Sequence, residues 1–383
     1  MVDVDSHLML FPGTMAEILG TDSTGRPWHG RGALASVIDE LTRMIADEGL
    51  DPSGEGEAFV QRRQEAKADV WGIRSWASHG AQIAMDRLDA LDKMGIRRQL
   101  VFSQFMEAPL HTTDPAASGA IARYNDYVID WAKGVQDRVV PVCVLNMSNR
   151  EAALAEAGRV LERGARAVQI PANLPPAGSS PAAAEWDPLW AMLSEAGAPA
   201  LIHSGGTAGM PSLVHSSWPE LSWSALKPPP ADPAADDFHA RPFIWTIMHL
   251  PAEVTLTFMV LGGVFERHPN LRFGVIECGA GWVAAWCQRM DTLANSVSSY
   301  LKRVLSLMPS DYVRRQIRVA PLVFEPVGSW IERSGLDEVY AFSTDYPHAE
   351  GGVDSVDRFY ASLAPLGDAV VEKFFVTNGG DLF

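Results

Sequence analysis

Val275-Ile276-Glu277-Cys278-Gly279-Ala280-Gly281-Trp282 reads as the end of a buried strand that breaks into a glycine turn. The strand is expected over residues 271–278. Its Leu-Arg-Phe-Gly-Val-Ile run is apolar enough for the centre of a parallel sheet. It closes on Glu277. An acidic side chain at a buried strand end is costly unless something positive meets it, and the partner expected here is a metal ion.

Other apolar runs end in the same kind of residue. Residues 2–5 lead into Ser6-His7, residues 199–203 end in His203, and residues 339–344 run into Asp345-Tyr346-Pro347-His348. Further strands are expected at 98–103, 139–145, 167–171 and 317–324. Helical spacing predicts helices over 33–48, 81–94, 121–135, 150–162, 181–195, 252–266 and 368–375, with a helical region over 283–312. Eight strands alternating with helices predict an α/β fold, a parallel (β/α)8 TIM barrel, with residues 1–383 as one domain. The first strand is not followed by a Gly-rich phosphate fingerprint, which counts against an open doubly wound sheet. Segments 8–75 and 204–248 follow strands and are long. They are expected as lid insertions at the C-terminal face of the barrel. Pro228-Pro229-Pro230 and Asp232-Pro233 bar regular structure from part of the second.

Composition narrows the function. The chain has 383 residues, 47% hydrophobic and 20% charged, with a formal charge of −16. That balance argues against a nucleic-acid surface, which needs clustered Lys and Arg. Three cysteines, Cys143, Cys278 and Cys287, make neither a disulfide framework nor a zinc-type pair. No apolar run approaches membrane-spanning length, and residues 1–5 carry no signal-peptide core. A soluble cytoplasmic enzyme is expected.

In parallel barrels the strand C-terminal ends carry the chemistry. Asp5 and His7 are one residue apart, so on a strand they point to the same side. With His203, Glu277 and Asp345 they form a set of strand-end donors. Taken singly, each would be read as a turn cap or a satisfied polar group; together they are better explained by one metal site. His79 and His249 each precede a helix that begins at the same mouth and join the candidate ligands. His348 is the candidate proton shuttle. His29, His111, His215, His239 and His268 have no comparable argument. Trp71, Trp76, Trp218, Trp223, Trp245 and Phe243 fall in or beside the insertions, where they either wall an apolar substrate pocket or pack the lids onto the barrel. Trp245, Phe243 and Arg241 are the candidate substrate-binding residues. Lys227 and Arg241 are weak candidates to meet phosphates, against ordinary surface charge.

These residues also carry a resemblance. Asp3-Val4-Asp5-Ser6-His7, Leu201-Ile202-His203-Ser204-Gly205-Gly206, Gly262-Gly263-Val264-Phe265-Glu266-Arg267-His268-Pro269, Thr344-Asp345-Tyr346-Pro347-His348 and the closing Val376-Thr377-Asn378-Gly379-Gly380-Asp381-Leu382-Phe383 resemble the amidohydrolase-2 branch of the amidohydrolase superfamily. That implies a barrel with a metal at its mouth, used in relatives as zinc or manganese for hydrolysis or nonoxidative decarboxylation. Three departures stand out. Asp5 replaces the first histidine of the family's His-x-His, Glu277 replaces a histidine before a Gly-Gly turn, and the fourth strand offers Gln169 where some relatives have a bridging lysine. Carboxylates make the site harder and move its preference from zinc toward iron or manganese. Seven donors suit two ions. The set resembles nonheme diiron monooxygenases of this branch, which act on CoA-linked diterpenoids. That resemblance implies two Fe ions, O2 as cosubstrate, an external electron donor and an apolar, CoA-linked substrate in antibiotic biosynthesis. The alternative is a mononuclear Zn or Mn hydrolase or nonoxidative decarboxylase. A barrel that has lost catalysis and serves as a binding protein is the third reading. A small-molecule substrate and a homo-oligomer are compatible with any of these; nucleic acid and membrane partners are not expected.

Overall fold

A computed structural model describes residues 1–28, 57–74, 76–103, 106–172, 176–204, 246–296 and 299–383. Its strands are β1 (Val2–Asp3), β2 (His7–Leu8), β3 (Arg98–Ser103), β4 (Val139–Pro141), β5 (Cys143–Val144), β6 (Val168–Gln169), β7 (Ala200–His203), β8 (Phe273–Ile276) and β9 (Ile317–Val319). All ladders are parallel. β1 and β2 both pair with β3, and β3 pairs with β4. β5 to β9 pair in sequence order. Backbone hydrogen bonds join the two sheets. Val142 N–H donates to Val101 O at 2.9 Å and bridges the break between β4 and β5. On the far side, residues 339–346 bond to β9 (Ala341 N–H to Val319 O, 3.1 Å) and to the first segment (Val4 N–H to Phe342 O, 3.1 Å; His7 N–H to Tyr346 O, 2.7 Å). Counting β1–β2 and β4–β5 as one segment each, the result is a (β/α)8 TIM barrel.

The core agrees with closure. One buried cluster takes Val4, Leu100, Phe102, Val140, Val142, Ala167, Leu201, Ile276, Ala320 and Ala341, so every segment contributes to the barrel interior. Leu382 closes the same cluster from the C-terminus. Gly274 makes room for it, since a Cβ there would lie 2.5 Å from Leu201 Cδ2 and 3.1 Å from Leu382 Cδ1. The larger cluster lies between the sheet and the helices. Burial of each Leu, Ile, Val or Phe in these layers contributes roughly 1.5–3 kcal/mol.

Several boundaries differ from the sequence reading. The strand expected over 317–324 stops at Val319. Pro321 has no N–H to continue the ladder, and Leu322 N–H is taken by Glu325 at 2.8 Å. Residues 339–346 make only isolated bridges, Val319 with Tyr340 and Ser6 with Tyr346. The helix expected over 252–266 divides into Leu250–Leu261 and Val264–Arg267. Gly263 adopts φ 76° at the break, and a Cβ on Gly262 would collide with Ala182 Cβ at 2.3 Å. The helix Arg150–Glu162 begins on Asn149, whose side chain accepts from Ala152 N–H. The expected helix over 33–48 lies outside the described residues. So does most of the 204–248 insertion, with Lys227, Trp218, Trp223, Arg241, Phe243 and Trp245. The first insertion contains the helices Pro12–Leu19 and Glu57–Ala68. Just past it, Trp76 is buried and donates to Leu10 O at 3.2 Å, packing inward on the core. Among the described residues no helix is long and apolar enough to cross a membrane.

Candidate metal centre

The strand ends bring five of the expected donors to one point. Asp5, His7, His203 and Glu277 each offer a ligand atom, all within 4.8 Å of one another. His7, Asp345 and His348 form a second such group. His203 Nε2 lies 3.2 Å from Asp5 Oδ1 and 3.5 Å from Glu277 Oε2. His7 Nε2 lies 3.5 Å from Asp5 Oδ1 and 3.2 Å from Asp345 Oδ1. The His348 ring stacks on His7 at 3.9 Å, and its Nδ1 is 2.9 Å from Asp345 Oδ1. Phe102 forms the floor, 4.4 Å from the His203 ring.

Two of these donors are held in an unusual backbone state. Among the described residues three non-glycines have positive φ: Ala177, Glu277 (54°) and Asp345 (50°). Side chains disfavour that region, and such residues persist only where the surroundings over-determine them, often at functional sites. Both carboxylates leave their strand end through this turn, which swings them over the barrel mouth.

Electrostatics bind the group together. Burial opposes a charged His203, but Asp5 and Glu277 outweigh it and hold the ring up at about 9. Burial likewise opposes a charged His348, and Asp345 overrides it, to about 10. Burial and the neighbouring Asp345 push the Glu277 carboxyl up to about 8. Asp345 is held well below the usual carboxylate range: burial would raise it, and His348 and His7 dominate. Ser204 Oγ donates to Glu277 Oε2 at 2.5 Å.

The donor set fits a metal. His7 Nδ1 and Nε2, Asp345 Oδ1 and His348 Nδ1 are buried and make no hydrogen bond, although they crowd together. Such orphaned polar atoms are costly in an interior. Contacts that are short yet poorly aligned for hydrogen bonding suit ligands converging on a shared cation. Mixed imidazole and carboxylate donors favour a harder ion such as Mn or Fe over a thiolate-type zinc site.

His79 and His249 do not join this group, a correction to the seven-donor set. Each ring finds a partner on the helix that follows it. His79 Nε2 meets Asp89 Oδ2 at 2.7 Å, and Asp89 also holds Lys93. His249 Nε2 is 3.4 Å from Glu253 Oε2, and the ring stacks on Trp282 at 5.7 Å. Glu350 was missed: it forms a third group with Glu277 and Asp345. Its signal was an acid five residues past Asp345 on the same strand-end loop. Arg241, Phe243 and Trp245 lie outside the described residues. The cleft beside the donors is lined by Pro321, Leu322, Val323 and Phe324 together with Asp5, Glu277, Asp345 and Glu350.

Beneath the donors lies a buried polar network that the sequence reading also missed. Asp3 accepts from Gln99 Nε2 (2.7 Å), Thr344 N–H (2.9 Å), Thr344 Oγ1 (2.6 Å) and Asp5 N–H (3.2 Å). Arg87, fully buried, donates to Gly80 O (2.7 Å), Gln99 Oε1 (3.1 Å) and His7 O (2.7 Å). Asp5, His7 and the residue preceding Asp345 are therefore tied to one set of hydrogen bonds.

The chain is similar to several solved structures. An amidohydrolase from Mycobacterium avium subsp. paratuberculosis is 20% identical, over 100% of this chain and 98% of that one, with a TM-score of 0.69. A 2,6-dihydroxybenzoate decarboxylase from Rhizobium is 16% identical, over 100% and 98%, with a TM-score of 0.61. A 5-carboxyvanillate decarboxylase from Novosphingobium aromaticivorans, complexed with manganese, is 18% identical, over 91% and 92%, with a TM-score of 0.55. At these identities the likeness speaks for the fold. Among curated proteins none matches. An amidohydrolase family model matches residues 2–383, and the chain belongs to that family.

Proposed function

We propose that the chain is a metal-dependent enzyme of the nonoxidative decarboxylase or hydrolase type, with decarboxylation ahead of hydrolysis. The observation that carries this reading is the convergence of Asp5, His7, His203 and Glu277 from three strand ends, with ligand atoms within 4.8 Å of one another. The structural relatives that are decarboxylases, one of them manganese-bound, support it. When bound there, a divalent ion would supply Lewis-acid chemistry, drawing charge from a substrate carboxylate, carbonyl or phenolate. The chain's own residues supply the rest. In decarboxylation the carbon–carboxylate bond breaks, CO2 leaves and the carbon takes up a proton. His348, stacked on His7 and 2.9 Å from Asp345, is placed to deliver that proton. Ser204 fixes the orientation of Glu277.

A second reading has its own support. Asp5, His7, His203, Glu277, Asp345, His348 and Glu350 fall in three overlapping groups, more donors than one ion takes, and a carboxylate can bridge two ions. That would suit a diiron, O2-dependent monooxygenase hydroxylating an apolar, CoA-linked substrate with an external electron donor. The two readings part on oxygen. Protein loaded with Mn(II), Zn(II) or Fe(II) is incubated with a panel of aromatic carboxylic acids, amides and esters, with and without O2. CO2 or hydrolysis products formed equally in both atmospheres support the lead. Product formed only with Fe(II) and O2 would replace it with the second reading.

Glu277→Gln gives a sharper expectation. The amide keeps the shape but is a weaker, uncharged donor, so Mn(II) affinity and turnover should fall together. A Glu277→Gln enzyme with wild-type rate and metal affinity would remove the residue from the centre.

A further inference from the structure

Glu325 is a half-buried carboxylate in the loop after β9, and it is not among the metal-binding groups. No cation pairs with it among the described residues. It takes backbone amides from two different loops. Leu322 N–H donates to Oε2 at 2.8 Å within its own loop. Ala280 N–H donates across to Oε2 at 3.0 Å and Oε1 at 3.2 Å, with the Gly281 amide beside it. Ala280 and Gly281 belong to the turn that begins at Glu277. Inside that turn Gly279 has φ 66°, and a Cβ on it would press on Glu325 Oε1 at 3.1 Å. The carboxylate therefore occupies the inside of the turn that Glu277 must make to leave β8.

We propose that Glu325 is a positioning residue for Glu277: by joining the loops after β8 and β9, it holds the left-handed exit that aims the Glu277 carboxylate at His203. A residue in left-handed geometry relaxes unless neighbouring bonds prevent it. Glu277 N–Cα rotation is opposed on one side by the β8 ladder, which ends at Ile276 paired with His203. On the other side it is opposed by the amides that Glu325 receives. Removing the acceptor leaves those amides without their partner and frees the turn, so the Glu277 oxygens spread away from the metal position. The inference rests on Glu277 being part of the metal centre.

The test compares the wild-type chain with Glu325→Gln and Glu325→Ala. Two readouts are taken: Mn(II) affinity by competition with a chelator, and hydrogen exchange of peptides covering Glu277–Trp282 in the metal-free proteins. Outer partners of metal ligands are typically worth about 10–100-fold in affinity. Glu325→Ala is expected to lose affinity in that range and to exchange faster across the turn. The glutamine keeps one carbonyl oxygen for Leu322 and Ala280, so Glu325→Gln should recover part of both effects. If Glu325→Ala does not fold, Glu325→Gln decides alone. A folded variant with wild-type affinity and unchanged exchange across the turn overturns the proposal. Wild-type protein that takes up no Mn(II), Fe(II) or Zn(II) would overturn the metal reading instead, and this inference with it.

Discussion

His203→Ala is expected to leave a folded barrel that has lost its metal, with Mn(II) affinity lower by at least about 100-fold and activity falling with it. His203 is the last residue of β7, paired through its backbone to Ile276 of β8. Its Nδ1 is committed to Ser204 O at 2.8 Å, which aims Nε2 at Asp5 and Glu277. Donors fixed on rigid strand ends have no mobile neighbour able to replace them. His79 and His249 are engaged elsewhere. Circular dichroism establishes the fold and metal analysis establishes the content. Full metal stoichiometry in the variant would take His203 out of the centre.

Arg87→Met is expected to be the most destabilising of these changes, by about 3–5 kcal/mol. The guanidinium is fully buried, and burial lowers its pKa only to about 10, so it remains charged at neutral pH. It lies 5.0 Å over the Tyr346 ring and serves three acceptors. Methionine fills most of the volume and restores none of the bonds. His7 O and Gly80 O are then left without that donor, and Gln99 and Asp3 lose the cation behind them. Each buried acceptor stranded in this way costs about 1–3 kcal/mol. The gap at Gly80 cannot close easily, because a Cβ there would already meet the Arg87 backbone at 2.5 Å. A urea unfolding midpoint that falls with an unchanged slope would match this account. A loss below about 1 kcal/mol would show that the network is dispensable.

The parts of the molecule that were legible in its sequence share a physical cause. Strand ends announce themselves because an apolar run stops at a residue that an interior does not tolerate. Glu277, His203 and Asp345 are such residues, and so are Asp5 and His7 with their alternation. Periodicity matched Arg150–Glu162 at both ends, but it began the helix Asp187–Ala196 too early and gave no sign of Val327–Ser334 or Ser355–Leu363. What was not legible depends on contacts between distant residues. His79 precedes a helix at the mouth, as the sequence suggested, yet its ring is taken by Asp89, ten positions on. Asp3 looked like a strand residue, and its role became visible only with Gln99 and Thr344 folded around it. Glu350 joins the centre through the turn that follows Asp345, whose left-handed backbone no residue type advertises.

The most direct measurement is the number and place of bound ions in the intact chain. Protein is prepared metal-free, reloaded separately with Mn(II), Fe(II) and Zn(II), and assayed for ions per chain alongside Asp5→Ala. The account predicts that wild type binds at least one ion per chain tightly, with Mn(II) or Fe(II) favoured, and that Asp5→Ala loses it. A folded wild-type protein that binds none of the three, or an Asp5→Ala variant that binds as wild type does, would contradict it.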